Sequence, residues 1–156
     1  AKRYDRPFAL LLGDIDHFKR VNDGHGHAVG DQVLREVATR LSGQLRPSDQ
    51  IARWGGEEFL VLAPETDLIQ AKALSQRLFD AIAASPVAGL EVSLSIGVAC
   101  YRQGDSIAVL LSRADEAMYR AKLAGRNRIE LEDYPHEEIV VVHTQPDVAL
   151  ASEKLE

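Results

Sequence analysis

Hydrophobic and polar positions sort this chain into alternating strands and helices. Phe8-Ala-Leu-Leu-Leu-Gly-Asp-Ile-Asp16 is an apolar run of strand length that ends in two carboxylates, as expected of a buried strand. A polar stretch rich in glycine and histidine, Lys19 to Gly30, separates it from a helix. There Asp31 stands where an N-cap belongs, and Leu34, Val37, Ala38, Leu41 and Leu45 recur at helical spacing. Arg46-Pro-Ser-Asp49 is a turn. Ile51 to Trp54 and Glu57 to Ala63 flank Gly55-Gly56. This is a hairpin signal, because a glycine pair supplies the positive φ angles of a two-residue turn. Beyond Pro64 a second helix carries Ala71, Leu74, Leu78 and Ile82 on one stripe, with Pro86 past its end. Leu90 to Tyr101 alternates as a strand, with Val92, Leu94, Ile96 and Val98 on one face. A third helix turns Ile107, Leu110, Leu111, Ala114, Met118 and Ala121 inward and stops near Gly125. A short strand follows at Arg128 to Leu131.

Apolar helix stripes need a sheet to bury against, so the fold class expected is α/β, or α+β on strict accounting: a mainly antiparallel central sheet flanked by helices. The 156 residues amount to one domain, placed at residues 1–131. Residues 132–156 read as a tail or linker, because Glu132-Asp-Tyr-Pro and Pro146 are breakers. Within it Ile139 to Val142 is a β-prone run that reads as an extra edge strand or as the start of a linker to another domain, the favoured reading being a poorly ordered tail with that run docked. Lys and Arg number 18 against 24 Asp and Glu, a net charge of −6. That balance argues against a non-specific grip on nucleic acid, which needs clustered cations. With 46% hydrophobic and 27% charged residues the chain is not a disordered one. It has no apolar run long enough to cross a bilayer and no visible secretory leader. Membrane contact by this domain is therefore not expected, and a cytoplasmic location is, whatever anchors the parent protein. Cys100 stands alone, so no internal disulfide forms.

Two acidic sites carry the candidate chemistry. Asp14 and Asp16 close the first strand, and Glu57 and Glu58 follow the glycine pair. If the first strand is central and the hairpin lies beside it, these carboxylates meet at one edge of the sheet. Hard oxygen ligands gathered this way suit Mg²⁺ or Mn²⁺ carrying nucleotide phosphates. Either acidic pair by itself is more simply a solvated surface charge; the two beside one apolar strand favour a metal site.

Gly55-Gly-Glu-Glu-Phe59, together with Asp14-Ile-Asp-His-Phe-Lys19, Asn22-Asp23, Gly26-His27, Gly30-Asp31 and Arg120-Ala-Lys-Leu-Ala-Gly-Arg-Asn127, resembles the GGDEF family of diguanylate cyclases. The likeness runs from about Tyr4 to Leu131, and several motifs in order at family spacing are far more specific than the signature alone. The resemblance implies a ferredoxin-like, palm-type cyclase fold and the condensation of two GTP into cyclic di-GMP with release of pyrophosphate. It implies metal ligation by Asp14, the Ile15 carbonyl, Glu57 and Glu58, with Glu57 and Glu58 as the catalytic acids. Asn22 and Asp31 match positions that read guanine, and His27 lies in the same stretch. An Asp acceptor beside an amide suits guanine and not adenine. Lys19, Lys122 and Arg126 match the cations that neutralise the triphosphate, and the i, i+4 spacing of Lys122 and Arg126 would put both on one helix face. Asp31 remains equally readable as an N-cap. Lys122 and Arg126 remain readable as a solvated helix end.

The resemblance also bears on regulation and partners. Arg46-x-x-Asp49, with Arg77 on the next helix, matches a family site for inhibition by the product. A guanidinium grips phosphate or a guanine edge bidentately, and a carboxylate accepts guanine N–H groups. Taken alone, the four residues would be only a surface ion pair. Because each domain holds one GTP, turnover is expected from a homodimer. An upstream sensor domain and a downstream phosphodiesterase domain are expected in the parent chain. The Asp-x-Leu-Thr-Gly-Leu-x-Asn-Arg segment usual before the first strand is not in these residues, so weak turnover is expected of this stretch alone. The alternative function is a catalytically silent module that binds GTP or cyclic di-GMP, and a third is a cyclase acting on another nucleotide.

Overall fold

The computed structural model describes residues 6–132. The β-prone run at 139–142 lies outside the described residues. Among the described residues strand β1 (Phe8–Ile15) is the middle of a five-stranded sheet in the order β2-β3-β1-β4-β5. Its neighbours β3 (Glu58–Pro64) and β4 (Leu94–Cys100) are both antiparallel to it, and β2 (Gln50–Arg53) pairs antiparallel with β3. Only β5 (Arg128–Leu131), parallel to β4, breaks the antiparallel pattern. The crossover it requires is α4 (Ile107–Leu123). A strand with neighbours on both sides and helices on both faces is shielded from water, and β4 is buried at every position.

Helices cover the two faces unequally. On one, α1 (Phe18–His25), α2 (His27–Ser42) and α3 (Leu68–Ala83) pack over Leu11, Ile15, Val61, Ile96 and Val98. On the other, α4 is the one helix among the described residues, and it lays Leu110, Ala114 and Met118 onto Leu10, Leu12 and Ala99. Gly97 makes that approach possible. A Cβ there would lie 2.2 Å from the Ala114 carbonyl oxygen and 2.3 Å from the Met118 backbone nitrogen, so helix and strand touch backbone to backbone. Helix α3 opens on a capping box, in which Asp67 accepts from the Gln70 backbone and the Gln70 side chain accepts from the Asp67 N–H. Glu132 is buried and ties the end of β5 down. It accepts from the Cys100 N–H at 2.7 Å and pairs with Arg113 and Arg102.

Several local expectations give way. The polar stretch from Lys19 is helical: α1 buries only Phe18, and Gly26 at φ +91° separates it from α2. Helix α2 therefore starts at His27, which puts Asp31 inside it and not at its N-cap. The hairpin connection is wider than two residues. Trp54 donates its backbone N–H to the Glu58 carbonyl at 2.7 Å, residues 54–57 link the strands, and neither Gly55 nor Gly56 has a positive φ. The strand expected from Leu90 begins at Leu94, and Leu90 only bridges Val87. Ile107, at the first turn of α4, is 63% exposed instead of facing inward.

Candidate metal and nucleotide site

The register of the sheet builds the centre of the site. Asp14 stands opposite Glu58 on β3 and opposite Ser95 on β4, so these side chains share the face covered by α4. Ile15 donates its backbone N–H to the Glu57 carbonyl at 3.2 Å, which fixes Glu57 next to the end of β1. From above, Lys122 of α4 reaches down and forms an ion pair with Asp14 Oδ2. The other oxygen, Asp14 Oδ1, is buried with no hydrogen-bond partner. Burial pushes the Asp14 carboxyl above its ordinary value, Lys122 pulls it back down, and the charge of Asp16 adds to the rise. Glu57 and Glu58, both half-buried, are also pushed up, first by burial and then by the charge of Asp14, with Lys122 opposing.

The two strand-end aspartates have different surroundings. Asp16 has both oxygens engaged: it accepts from the Ser93 and Ser95 hydroxyls at 2.6 Å each and from the Asn127 N–H at 2.9 Å. It clamps β1 to β4 and to the turn after α4, whereas Asp14 keeps a free lone-pair side. Sequence reasoning missed this clamp, whose only signal was the Ser93-x-Ser95 spacing. Among the described residues no group of three or more His, Cys, Asp or Glu side chains stands close enough together to hold a metal ion. The donor chemistry nevertheless fits a hard divalent cation. A buried carboxylate oxygen has nothing to bind, two further carboxylates are held at raised proton affinity beside it, and a cation already sits among them.

The candidate nucleotide residues lie on α1 and α2, which follow directly from the end of β1 through His17, a left-handed residue at φ +56°. Asn22 packs against α2 where Gly30 makes room: a Cβ at Gly30 would fall 1.9 Å from Asn22 Oδ1. Asp31 is the next residue and is exposed, as is His27 at the start of α2. Lys19 is exposed and pairs with Asp23 at 3.1 Å. Arg126 does not share a helix face with Lys122. Helix α4 ends at Leu123, and Arg126 has φ +64° with its N–H on the Ala121 carbonyl at 2.9 Å. Its charge still acts on Asp14, so both cations serve the same end of the sheet from different backbone segments.

Arg46, Asp49 and Arg77 line one depression of about 220 Å³ with Thr66 and Gln70. Arg46 is engaged within it: its guanidinium donates to Asp49 Oδ1 at 3.0 Å, Thr66 Oγ1 at 2.9 Å and the Pro64 carbonyl at 2.7 Å. A larger cavity, about 940 Å³, lies at the other end of β1 between Phe8, Pro64, Tyr101, Ile107 and Leu110. It contains none of the candidate residues.

The chain is similar to known proteins in both sequence and fold. The family described as diguanylate cyclase, GGDEF domain, matches residues 1–128. The chain is 45% identical over 137 residues to the diguanylate cyclase DgcP of Pseudomonas aeruginosa, covering 84% of this chain and 20% of that protein. It is 45% identical over 130 residues to the response regulator PleD of Caulobacter vibrioides, covering 79% and 29%. It thus spans between a fifth and three tenths of these relatives. The GGDEF domain of DgcB from Caulobacter crescentus, solved in complex with c-di-GMP, superposes with a TM-score of 0.80 at 32% identity, covering 84% of this chain and 81% of that one.

Proposed function

The chain belongs to the GGDEF diguanylate cyclase family, and on that premise we propose that it condenses two GTP into cyclic di-GMP and two pyrophosphates. In each half-reaction the 3′-oxygen of one nucleotide bonds to the α-phosphorus of the other. The bond from that phosphorus to the pyrophosphate oxygen breaks, and the 3′-hydroxyl proton leaves to a base. The observation that carries this reading is Asp14, buried with one unpartnered oxygen and flanked by Glu57, Glu58 and Lys122.

Asp14, Glu57, Glu58 and the Ile15 carbonyl would hold Mg²⁺ or Mn²⁺. Such an ion, when bound, acidifies a ribose hydroxyl and neutralises charge on the phosphates. Glu57 has its proton affinity raised by burial, which suits it to take the hydroxyl proton. Lys122, Arg126 and the exposed Lys19 neutralise the triphosphate. Asn22, wedged against Gly30, and Asp31 beside it read the guanine edge, with His27 at the lip of the same helix pair. One such site per chain holds one nucleotide, so two chains facing each other complete the reaction. The depression at Arg46, Asp49 and Arg77 is the place for product to bind and inhibit. The greater length of the relatives fits a parent protein with a sensor domain upstream and a phosphodiesterase domain downstream.

The test is incubation of purified protein with GTP and Mg²⁺ and identification of the nucleotides formed. Cyclic di-GMP from GTP, no product from ATP, and a rate rising faster than linearly with protein concentration are expected. Glu57→Gln, checked for an unchanged fold by circular dichroism, should form none. Cyclic di-GMP binding without any GTP turnover would instead establish a receptor module.

A further inference from the structure

Lys122 has two claims on its ammonium. The nucleotide reading assigns it to the triphosphate, yet in the structure it forms an ion pair with Asp14. That pair lies at the centre of the acidic cluster. Asp14 is only 3% exposed, and its second oxygen is buried without a partner. Lys122 is on the last turn of α4, held in place because α4 meets β4 backbone to backbone at Gly97. Its side chain is 27% exposed, so Lys122 is not sealed inside the protein as Asp14 is. A carboxylate can satisfy either a resident ammonium or a divalent cation at full strength, because like charges a few ångströms apart repel.

We infer that Lys122 is an internal counter-cation that occupies Asp14 until nucleotide arrives, and that it then transfers from the carboxylate to the phosphates. The consequence is an order of binding. A free divalent ion meets a cluster already neutralised by Lys122 and binds weakly. An ion delivered on a triphosphate brings the anion that draws Lys122 away, so ion and nucleotide bind cooperatively. Arg126 acts on Asp14 through its charge, whereas Lys122 is the cation in direct contact with it. Asp16 competes less for the ammonium, since its oxygens already accept three hydrogen bonds.

This inference rests on the reading of Asp14 as a metal ligand, and its test does not use catalysis. Mn²⁺ binding to nucleotide-free protein is followed by electron paramagnetic resonance for wild type, Lys122→Met and Lys122→Arg. Removing the resident charge should tighten Mn²⁺ binding in Lys122→Met by about tenfold, while Lys122→Arg should stay near wild type. Equal affinity in wild type and Lys122→Met overturns the inference but leaves the metal site standing. No Mn²⁺ binding to any of the three overturns both. A wild-type measurement covers the case in which a variant misfolds. The Lys122 side-chain ammonium, observed by ¹⁵N nuclear magnetic resonance, should be protected from exchange in the free protein. It should shift when Mg²⁺ and a non-reactive α,β-methylene analogue of GTP are added. An ammonium signal unchanged by saturating analogue and Mg²⁺ overturns the transfer.

Discussion

Gly97→Ala probes the contact that brings the α4 cation to the β1 carboxylate. An added Cβ would sit 2.2 Å from the Ala114 oxygen, 2.3 Å from the Met118 nitrogen and 2.9 Å from the Met118 Cα. All three are backbone atoms, so no rotamer can move them aside, and restoring ordinary van der Waals separation requires α4 to withdraw by about 1 Å. Overpacking a core costs about 1–3 kcal/mol when side chains can give. Here a whole helix must move off Leu10, Leu12 and Ala99, so the expected loss is at the top of that range, about 3 kcal/mol. Against a domain stability of about 5–15 kcal/mol that is a large fraction. It should lower the melting temperature by about 10 °C.

Urea denaturation followed by circular dichroism measures it, with the midpoint falling and the slope unchanged. Gly56→Ala is the control, because a Cβ there meets nothing within 4 Å, and its change should stay within about 0.5 kcal/mol. Withdrawal of α4 should also loosen the Lys122–Asp14 pair, so the Lys122 ammonium signal should lose protection in Gly97→Ala. A loss below about 1 kcal/mol with that signal intact would show that α4 does not rest backbone to backbone on β4.

Other expectations follow from the same geometry. Asp14→Asn should raise the melting temperature of metal-free protein near neutral pH. A carboxyl whose folded pKa lies above its ordinary 3.8 penalises the fold once ionised. That penalty is full above the folded pKa and fades as pH falls toward 3.8, so the variant's advantage should shrink over the same range in a thermal melt. The Cys100 thiol is pushed up to about 12 by burial first and by the charge of Glu132 next. Iodoacetamide at pH 8 should therefore leave it unmodified in folded protein and alkylate it after unfolding in guanidinium, as read by mass spectrometry. Arg46→Ala should leave early turnover of GTP in place and abolish its slowing as product accumulates, measured by progress curves with and without added cyclic di-GMP.

The parts of this fold legible in the sequence are those where one physical demand dominates a whole element. The run Ala9 to Leu12 could only be a strand buried on both faces, and it is the middle of the sheet. The stripe Ala71, Leu74, Leu78, Ile82 could only be a helix facing a core, and those residues are the buried face of α3. The acidic cluster was visible because two carboxylate pairs flank the apolar β1 and the glycine pair; antiparallel pairing of β1 with β3 then sets Asp14 opposite Glu58.

What stayed hidden depends on contacts between distant residues. Helix α1 has no apolar stripe, because it buries Phe18 alone, so no periodicity announced it. Asp31 looked like an N-cap because the helix break at Gly26 depends on a backbone angle rather than on residue pattern. Lys122 and Arg126 share helical spacing, yet the chain turns left-handed at Arg126 and Asn127, and the i, i+4 argument fails there. Apart from the family motif, Asp14 and Asp16 are alike in residue type and in standing at the end of one strand. Only the register of β1 against β4, with two serine hydroxyls and one amide converging on Asp16, separates a structural clamp from a carboxylate with an oxygen to spare. The separation therefore arises in sheet pairing, one level above the motif. A signature match that retained both aspartates but lost Ser93 and Ser95 would leave Asp16 free to compete with Asp14 for the same cation.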